Sequence, residues 1–191
     1  METQNIILLA VGGVVFLYII ITYNRFVSLT NKAHNAFSNI DVMLKKRNDL
    51  IPNLVSAVKG YMKHEQETLQ SLTALRSQAM QSGISDDQKM HLNNQISKTM
   101  GGLMVSMEAY PDLKASDNVM HLQRSIIEIE EQLSASRRSY NMAVTQFNNA
   151  LQMFPSNIIG KMLSYKRKTF FEATASEKKQ VDVAEMMNLS N

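Results

Sequence analysis

Residues Ile6 to Thr22 read IILLAVGGVVFLYIIIT, a stretch without one charge, and apolar positions beyond it recur with helical rather than alternating spacing. At ~1.5 Å rise per residue the run makes a helix of ~26 Å, close to the ~30 Å hydrocarbon core of a bilayer. Ile6, Leu9, Val14, Phe16, Tyr18 and Ile21 are the anchor residues of this reading, with Tyr18 and Tyr23 at the boundary. The competing reading is a cleaved signal peptide, which needs a basic leader and a small-residue cleavage site. The leader METQN has no Lys or Arg, and the run is followed by Tyr23, Asn24, Arg25 and Phe26, which favours an uncleaved anchor.

From Phe26 onward, small or apolar residues stand at 26, 29, 33, 36, 40 and 43, alternating steps of three and four as in a heptad seam. The phase continues through Arg47 to Leu50, Leu54, Ala57 and Tyr61, and less strictly to Leu72, Leu75 and Ala79. Its survival past Pro52 predicts one long helix from about Asn24 to Met80 with a bend at residues 48–53, because proline removes a backbone donor and crowds the preceding turn. The rival is a tight turn there, with Asn48 or Asp49 capping a new helix. Gln81 to Ser85, around Gly83, is a predicted break, after which Ser85, Asp86 and Asp87 start a helix running to about Tyr110. Gly101 and Gly102 inside that helix would be explained by a kink or a close helix contact.

Tyr110 to Lys114 predicts a turn, with Ser116 or Asp117 capping the clearest seam in the chain: Val119, Leu122, Ile126, Ile129, Leu133, Ser136, Tyr140, Ala143, Phe147 and Ala150. Phe154-Pro155-Ser156-Asn157 marks a corner, with Ser156 a capping residue, and a last helix is predicted to about Glu172. The expected fold is all-α, an N-terminal transmembrane helix continuing into a long-helix antiparallel bundle of four-helix type. Residues 1–23 form the anchor, 24–172 the bundle and 173–191 a tail without clear period, in which Met186-Met187 could dock.

Composition narrows the chemistry. Cysteine is absent, which removes disulfides, thiolate metal sites and thiol nucleophiles together. Fourteen methionines suit irregular core packing, with adaptable binding surfaces as the second use. Three prolines and seven glycines are too few for an all-β chain. A net charge of +3 is spread along the sequence without the aromatic-interleaved stripe of a nucleic-acid binder. Arg25 and Lys32 follow the anchor while no Lys or Arg precedes it, so the positive-inside rule expects the inner (cytoplasmic) membrane, the N-terminus outside and the bundle in the cytoplasm. A periplasmic bundle is the alternative.

His34, His64, His91 and His121 do not stand in ligand spacing, and His64-Glu65 lacks the second His of a zinc-protease motif because position 68 is Thr68. Glu65, Arg76 and Glu108 read as polar groups joining helices or pairing at the surface rather than as acids or bases. No phosphate loop or nucleophile elbow is present, so no cofactor, metal or catalytic residue is expected. Lys161, Lys166, Arg167 and Lys168 form the one dense basic group, either a solvated face or a contact to anionic lipid.

A first helix of ~85 Å would outrun a third of ~55 Å. The membrane-proximal seam Phe26, Leu29, Ala33, Phe37 and Ile40 is then expected to lack partners in one chain, and a second copy is the favoured cover. A hairpin at Pro52 that folds the stretch back is the alternative.

Finally, Arg47-Asn48-Asp49-Leu50-Ile51-Pro52-Asn53-Leu54-Val55, with Gly60-Tyr61 and His64-Glu65, resembles the bacterial LemA family. The resemblance extends through Glu108-Ala109-Tyr110-Pro111-Asp112-Leu113-Lys114-Ala115, Arg137-Arg138-Ser139-Tyr140-Asn141, Phe147-Asn148, Phe154-Pro155-Ser156-Asn157 and Phe170-Phe171-Glu172. It implies a single-pass membrane protein with a helical-bundle body and no established enzymatic activity. One relative acts in magnetosome formation and some members are encoded beside membrane proteases; neither role is carried over. Arg47, Asp49, Pro52, Asn53, Tyr61, Glu65, Tyr110, Pro111, Tyr140, Asn141, Phe147, Asn148, Pro155 and Asn157 match the motifs, and Asn53, Asn148 and Asn157 are expected to satisfy backbone groups near helix breaks.

The function expected is a non-enzymatic membrane-anchored scaffold or adaptor that self-associates through its proximal helix and presents the bundle to partners. The alternative is a regulatory subunit of a membrane enzyme such as a protease, bound through the tip around Gly83 or the tail. A metal-dependent hydrolase stands third. The partners expected are the lipid bilayer, further copies of the chain and a membrane protein, without nucleic acid.

Overall fold

The computed structural model describes residues 2–171. Among them every regular element is helical: α1 (Glu2–Val58), α2 (Gln66–Ala79), α3 (Asp86–Met107), α4 (Pro111–Lys114), α5 (Asp117–Gln152) and α6 (Ser156–Met162). The tail 173–191, with Met186 and Met187, lies outside the described residues. The described residues fall into two compact units, one drawn from residues 2–43 and 131–170, the other from residues 44–130 and 171. Helices α1 and α5 contribute to both.

α1 runs through Pro52 without a break, so the turn considered at Pro52 does not form. The predicted continuation to Met80 does not form either. The chain leaves the helix after Val58, with the amides of Tyr61 and Met62 both donating to the Val58 carbonyl, and Met62 enters the core. Gly60 sits in that break, where its low helix propensity favours an end. α2 follows it as a separate helix. The α2–α3 junction matches expectation: Gly83 takes φ +83°, and Ser85 and Gln88 form a reciprocal capping box. Gly101 and Gly102 are exposed in α3, and a Cβ at either would meet nothing within 4 Å, so no close contact accounts for them.

In the second unit, one face each of α1, α2, α3 and α5 closes a core that includes Ile51, Leu54, Leu72, Ile96, Leu103 and Ile126. The expected Tyr110–Lys114 turn is a single helical turn, α4, which adds Leu113. In the first unit, α1 and α5 run antiparallel: Phe26 meets Phe147 with ring centroids 6.1 Å apart, and Phe37 meets Tyr140 at 5.5 Å. Tyr165 closes the triangle at 5.4 Å from Phe26 and 5.6 Å from Phe147. The α5 seam is as read, with Leu133, Tyr140, Ala143, Phe147 and Ala150 all buried.

The last helix is shorter than predicted. α6 ends at Met162, Ser164 takes φ 55°, and residues 165–171 run without helix. Ser156 does not cap α6; its Oγ donates back to the Ala150 and Met153 carbonyls at 2.7 and 2.9 Å, satisfying the end of α5.

Candidate functional site

The proposed anchor residues Ile6, Leu9, Val14, Phe16 and Ile21 are all largely exposed, and only 6% of the most apolar window of α1 is buried. A core helix of equal composition would be covered. This one is long and apolar enough to cross a membrane and presents its side chains outward.

The seam expected to await a second copy is already filled. Phe26, Leu29, Ala33, Phe37 and Ile40 are all buried within a single chain. The mismatch that argued for an uncovered stretch disappears because α1 ends at Val58: residues 24–58 and α5 are of nearly equal length. Phe26 and Leu29 pack with Phe147, Ala150, Leu151 and Tyr165, so this face is internal core.

The densest polar arrangement centres on Arg47, fully buried in the second unit. Its Nη1 donates to Ser97 Oγ at 2.6 Å and to Glu130 Oε1 at 2.8 Å, while Nη2 donates to Asn93 Oδ1 at 2.6 Å. Asn93 Nδ2 donates in turn to the Lys89 carbonyl at 2.7 Å. A buried guanidinium is tolerable only with such a set of acceptors and an opposite charge. The cluster ties α1 to α3 and α5. Its one hydroxyl, Ser97 Oγ, accepts from Arg47 and donates to Glu130 Oε2 at 3.4 Å, and the carboxylate is engaged by the Arg, so the geometry is that of a structural lock.

The motif match had marked Arg47; Asn93, Ser97 and Glu130 were missed. A signal existed. Met90, Asn93, Ser97, Met100, Met104 and Met107 alternate three and four along α3, placing two polar residues on an apolar seam.

Other motif residues also hold elements together. Tyr110 Oη donates to Glu65 Oε2 at 2.6 Å, joining the start of α2 to that of α4. This bond, with some desolvation and the nearby negative charge, raises the phenol pKa above the usual tyrosine value. Arg76 Nε donates to the Asn48 carbonyl at 2.7 Å. Asn148, expected beside a helix break, instead lies within α5 and grips the peptide of Lys168: Nδ2 donates to its carbonyl and Oδ1 accepts from its amide, both at 3.0 Å. Tyr140 Oη donates to the Thr169 carbonyl at 3.2 Å, so the non-helical 165–170 segment is fastened along α5 at two points. Asn53 is exposed on α1, while Asn157 Oδ1 is buried without a hydrogen bond among the described residues. Asp49, Tyr61, Pro111 and Pro155 are exposed and Asn141 is half-buried.

All four histidines are exposed, and no three His, Asp or Glu side chains converge as metal ligands among the described residues. The α2–α3 tip carries an open groove lined by Gln78, Gln81, Ile84, Asp87, Gln88, His91 and Leu92. It is a surface depression without a reactive constellation.

Against known proteins, the LemA family model matches residues 36–184. Protein LemA of Metamycoplasma hominis is 30% identical over 181 residues, covering 95% of this chain and 82% of that protein. Magnetosome protein MamQ 2 of Paramagnetospirillum magneticum is 22% identical over 179 residues, 81% of this chain and 66% of its own length. Magnetosome protein MamQ of Magnetospirillum gryphiswaldense is 21% identical, with 80% and 65% covered. The chain thus spans about two thirds of the magnetosome proteins it matches, and none of these names describes a reaction. Arg47 of the buried lock, both partners of the Tyr110–Glu65 bond and Asn148 of the clasp fall on motif positions, and the match covers well over half the chain: it belongs to the LemA family.

Proposed function

We propose that this chain is a non-enzymatic membrane-anchored scaffold, which holds its helical bundle at the bilayer and offers it to a membrane-protein partner. The observation that carries the reading is the continuity of α1, in which one helix passes from an exposed apolar run directly into the core of the body. An anchor continuous with the helix that packs in the first unit holds that unit at the bilayer without a non-helical link between them. The polar groups are spent on joining helices, as in Arg47 with Glu130 and Tyr110 with Glu65, which supports a presenting role over a catalytic one. Similarity to the magnetosome proteins is compatible with such a role and supplies no substrate.

Self-association through the proximal seam is not part of this reading, because the seam is occupied from within. The test is alkaline extraction of membranes followed by size measurement of the protein in gentle detergent. Retention in the membrane and a particle larger than one chain, with a defined second component, are expected. Release by alkali would defeat the anchor, and recovery of monodisperse single chains alone would defeat the scaffold.

A further inference from the structure

The corner between α5 and α6 exposes large apolar side chains where the body meets the anchor. Met153 is 61% exposed, Phe154 81%, Ile158 51% and Met162 79%. Ile158 and Met162 are one turn apart on α6, and Met153 and Phe154 are consecutive, so these are neighbouring residues rather than scattered ones. Elsewhere exposed apolar residues such as Val105 and Ile127 stand singly.

Three observations place this corner at the bilayer surface. The first is Gly160 of α6, whose Cα lies so close to α1 that an added Cβ would come within 3.1 Å of the Phe26 ring, and Phe26 is one turn beyond Thr22, the end of the uncharged run. The second is Thr22 itself, which is 4% exposed; the folded body therefore reaches up to the last residue of the apolar stretch. The third is charge. Residues 132–171 contain no Asp or Glu but include Lys161, Lys166 and Arg167, all exposed. The whole membrane-proximal unit, residues 2–43 and 131–170, holds eight Lys or Arg against three Asp or Glu, whereas residues 44–130 hold ten of each.

We infer that the α5–α6 corner is a second membrane contact, seating Phe154, Ile158 and Met162 in the headgroup–acyl boundary while Lys161, Lys166 and Arg167 meet anionic lipid headgroups. Apolar side chains beside basic ones are the composition that such an interface selects, and the α1 anchor supplies the effective concentration. This contact rests on the anchoring proposed above and adds a lipid preference to it. It fixes the roll of the first unit about α1, so that a defined face of that unit is turned to partners.

The absence of cysteine allows single labels. Full-length Phe154→Cys, Met162→Cys, Met142→Cys and Val14→Cys proteins, with Met142 62% exposed on α5 of the same unit and each carrying an environment-sensitive fluorophore, are reconstituted in vesicles of phosphatidylcholine with or without phosphatidylglycerol. Quenching by aqueous iodide is compared with quenching by lipid-borne spin labels. The labels at 154 and 162 are expected to be several-fold less open to iodide than the one at 142, and to be quenched by shallow lipid labels. That protection is expected to deepen with phosphatidylglycerol and to fall when Lys161, Lys166 and Arg167 are all changed to Glu. Lipid quenching at 14 with free iodide access at 154 and 162 overturns the corner contact and leaves the anchor standing. Iodide access at 14 overturns both. Equal protection in the two vesicle types overturns the headgroup assignment.

Discussion

Arg76 Nε donates to the backbone carbonyl of Asn48 at 2.7 Å, the carbonyl that Pro52 leaves without its helical partner. In an unbroken α-helix that oxygen accepts from the amide four residues on, and proline has none. Asn48 is buried, so water is a poor substitute. A side chain from α2 therefore completes α1, and the helix passes through its proline.

Removing that donor has a specific signature. Arg76→Ala is expected to destabilise the protein by about 1–3 kcal/mol, the usual cost of an unsatisfied buried acceptor. In a Pro52→Ala background, where the amide is restored, the same change is expected to cost clearly less. Urea denaturation of the four proteins checks this, and equal costs in both backgrounds would reject the compensation.

The Arg47 lock predicts asymmetry between its partners. Glu130→Gln leaves a buried guanidinium without its counter-charge and is expected to cost roughly 3–5 kcal/mol. Arg47→Met with Glu130→Gln removes both charges and should recover part of that loss. Thermal unfolding of the single and double variants separates the two cases, and a double variant worse than the sum of its parts would contradict it.

Tyr110 is predicted to titrate above the usual tyrosine value because the Glu65 carboxylate accepts its proton in a hydrogen bond and repels the phenolate. Its folded pKa exceeds the unfolded one, so the stabilisation is complete below about pH 10 and is lost as pH rises through the folded value. Ring-carbon NMR of labelled tyrosine follows it. Glu65→Gln is expected to lower the midpoint, and an unchanged midpoint would remove Glu65 as the cause.

Gly160 is predicted to tolerate no side chain cheaply. A Cβ there would stand 2.6 Å from Leu151 Cδ2 and 3.1 Å from the Phe26 ring. The leucine tip can move; the ring, held between Phe147 and Tyr165, has less freedom. Gly160→Ala is expected to cost about 1–3 kcal/mol by overpacking. Hydrogen exchange at the α6 amides should accelerate, and unchanged protection would refute the close approach.

Asn148→Ala is predicted to release the 165–170 segment while leaving α5 helical, because both lost bonds go to the Lys168 peptide. The Lys168 amide is expected to exchange much faster and Tyr165 fluorescence to shift. Retained protection would mean that Tyr140 and the aromatic cluster suffice.

Much of this architecture was legible in the chain. The α5 seam from Val119 to Ala150, the break around Gly83 and the helix start at Ser85 to Asp87 are local signals, set by the 3.6-residue period and by helix-terminus chemistry that act over a few residues. Gly60 was harder to read, because one glycine is a weak stop and the seam continues in phase beyond it; only the burial of Met62 turns the chain there. Asn93 and Ser97 looked like ordinary polar helix residues until Arg47 arrived from a helix far away in sequence. The 165–170 segment reads as helix by composition, yet it runs without helix and is tied to α5 by Asn148 and Tyr140.

By itself, then, the sequence determined that the protein is helical, that it carries a long uncharged apolar run and that its seams can pair, since each of these follows from side-chain chemistry repeated at short range. Tertiary structure alone decided where α1 stops, that Phe26 to Ile40 are covered by α5 of the same chain, and which polar side chains complete a proline-containing helix and a buried arginine. Those outcomes depend on contacts between residues tens of positions apart, where burial and the pairing of backbone and charge outweigh local preference.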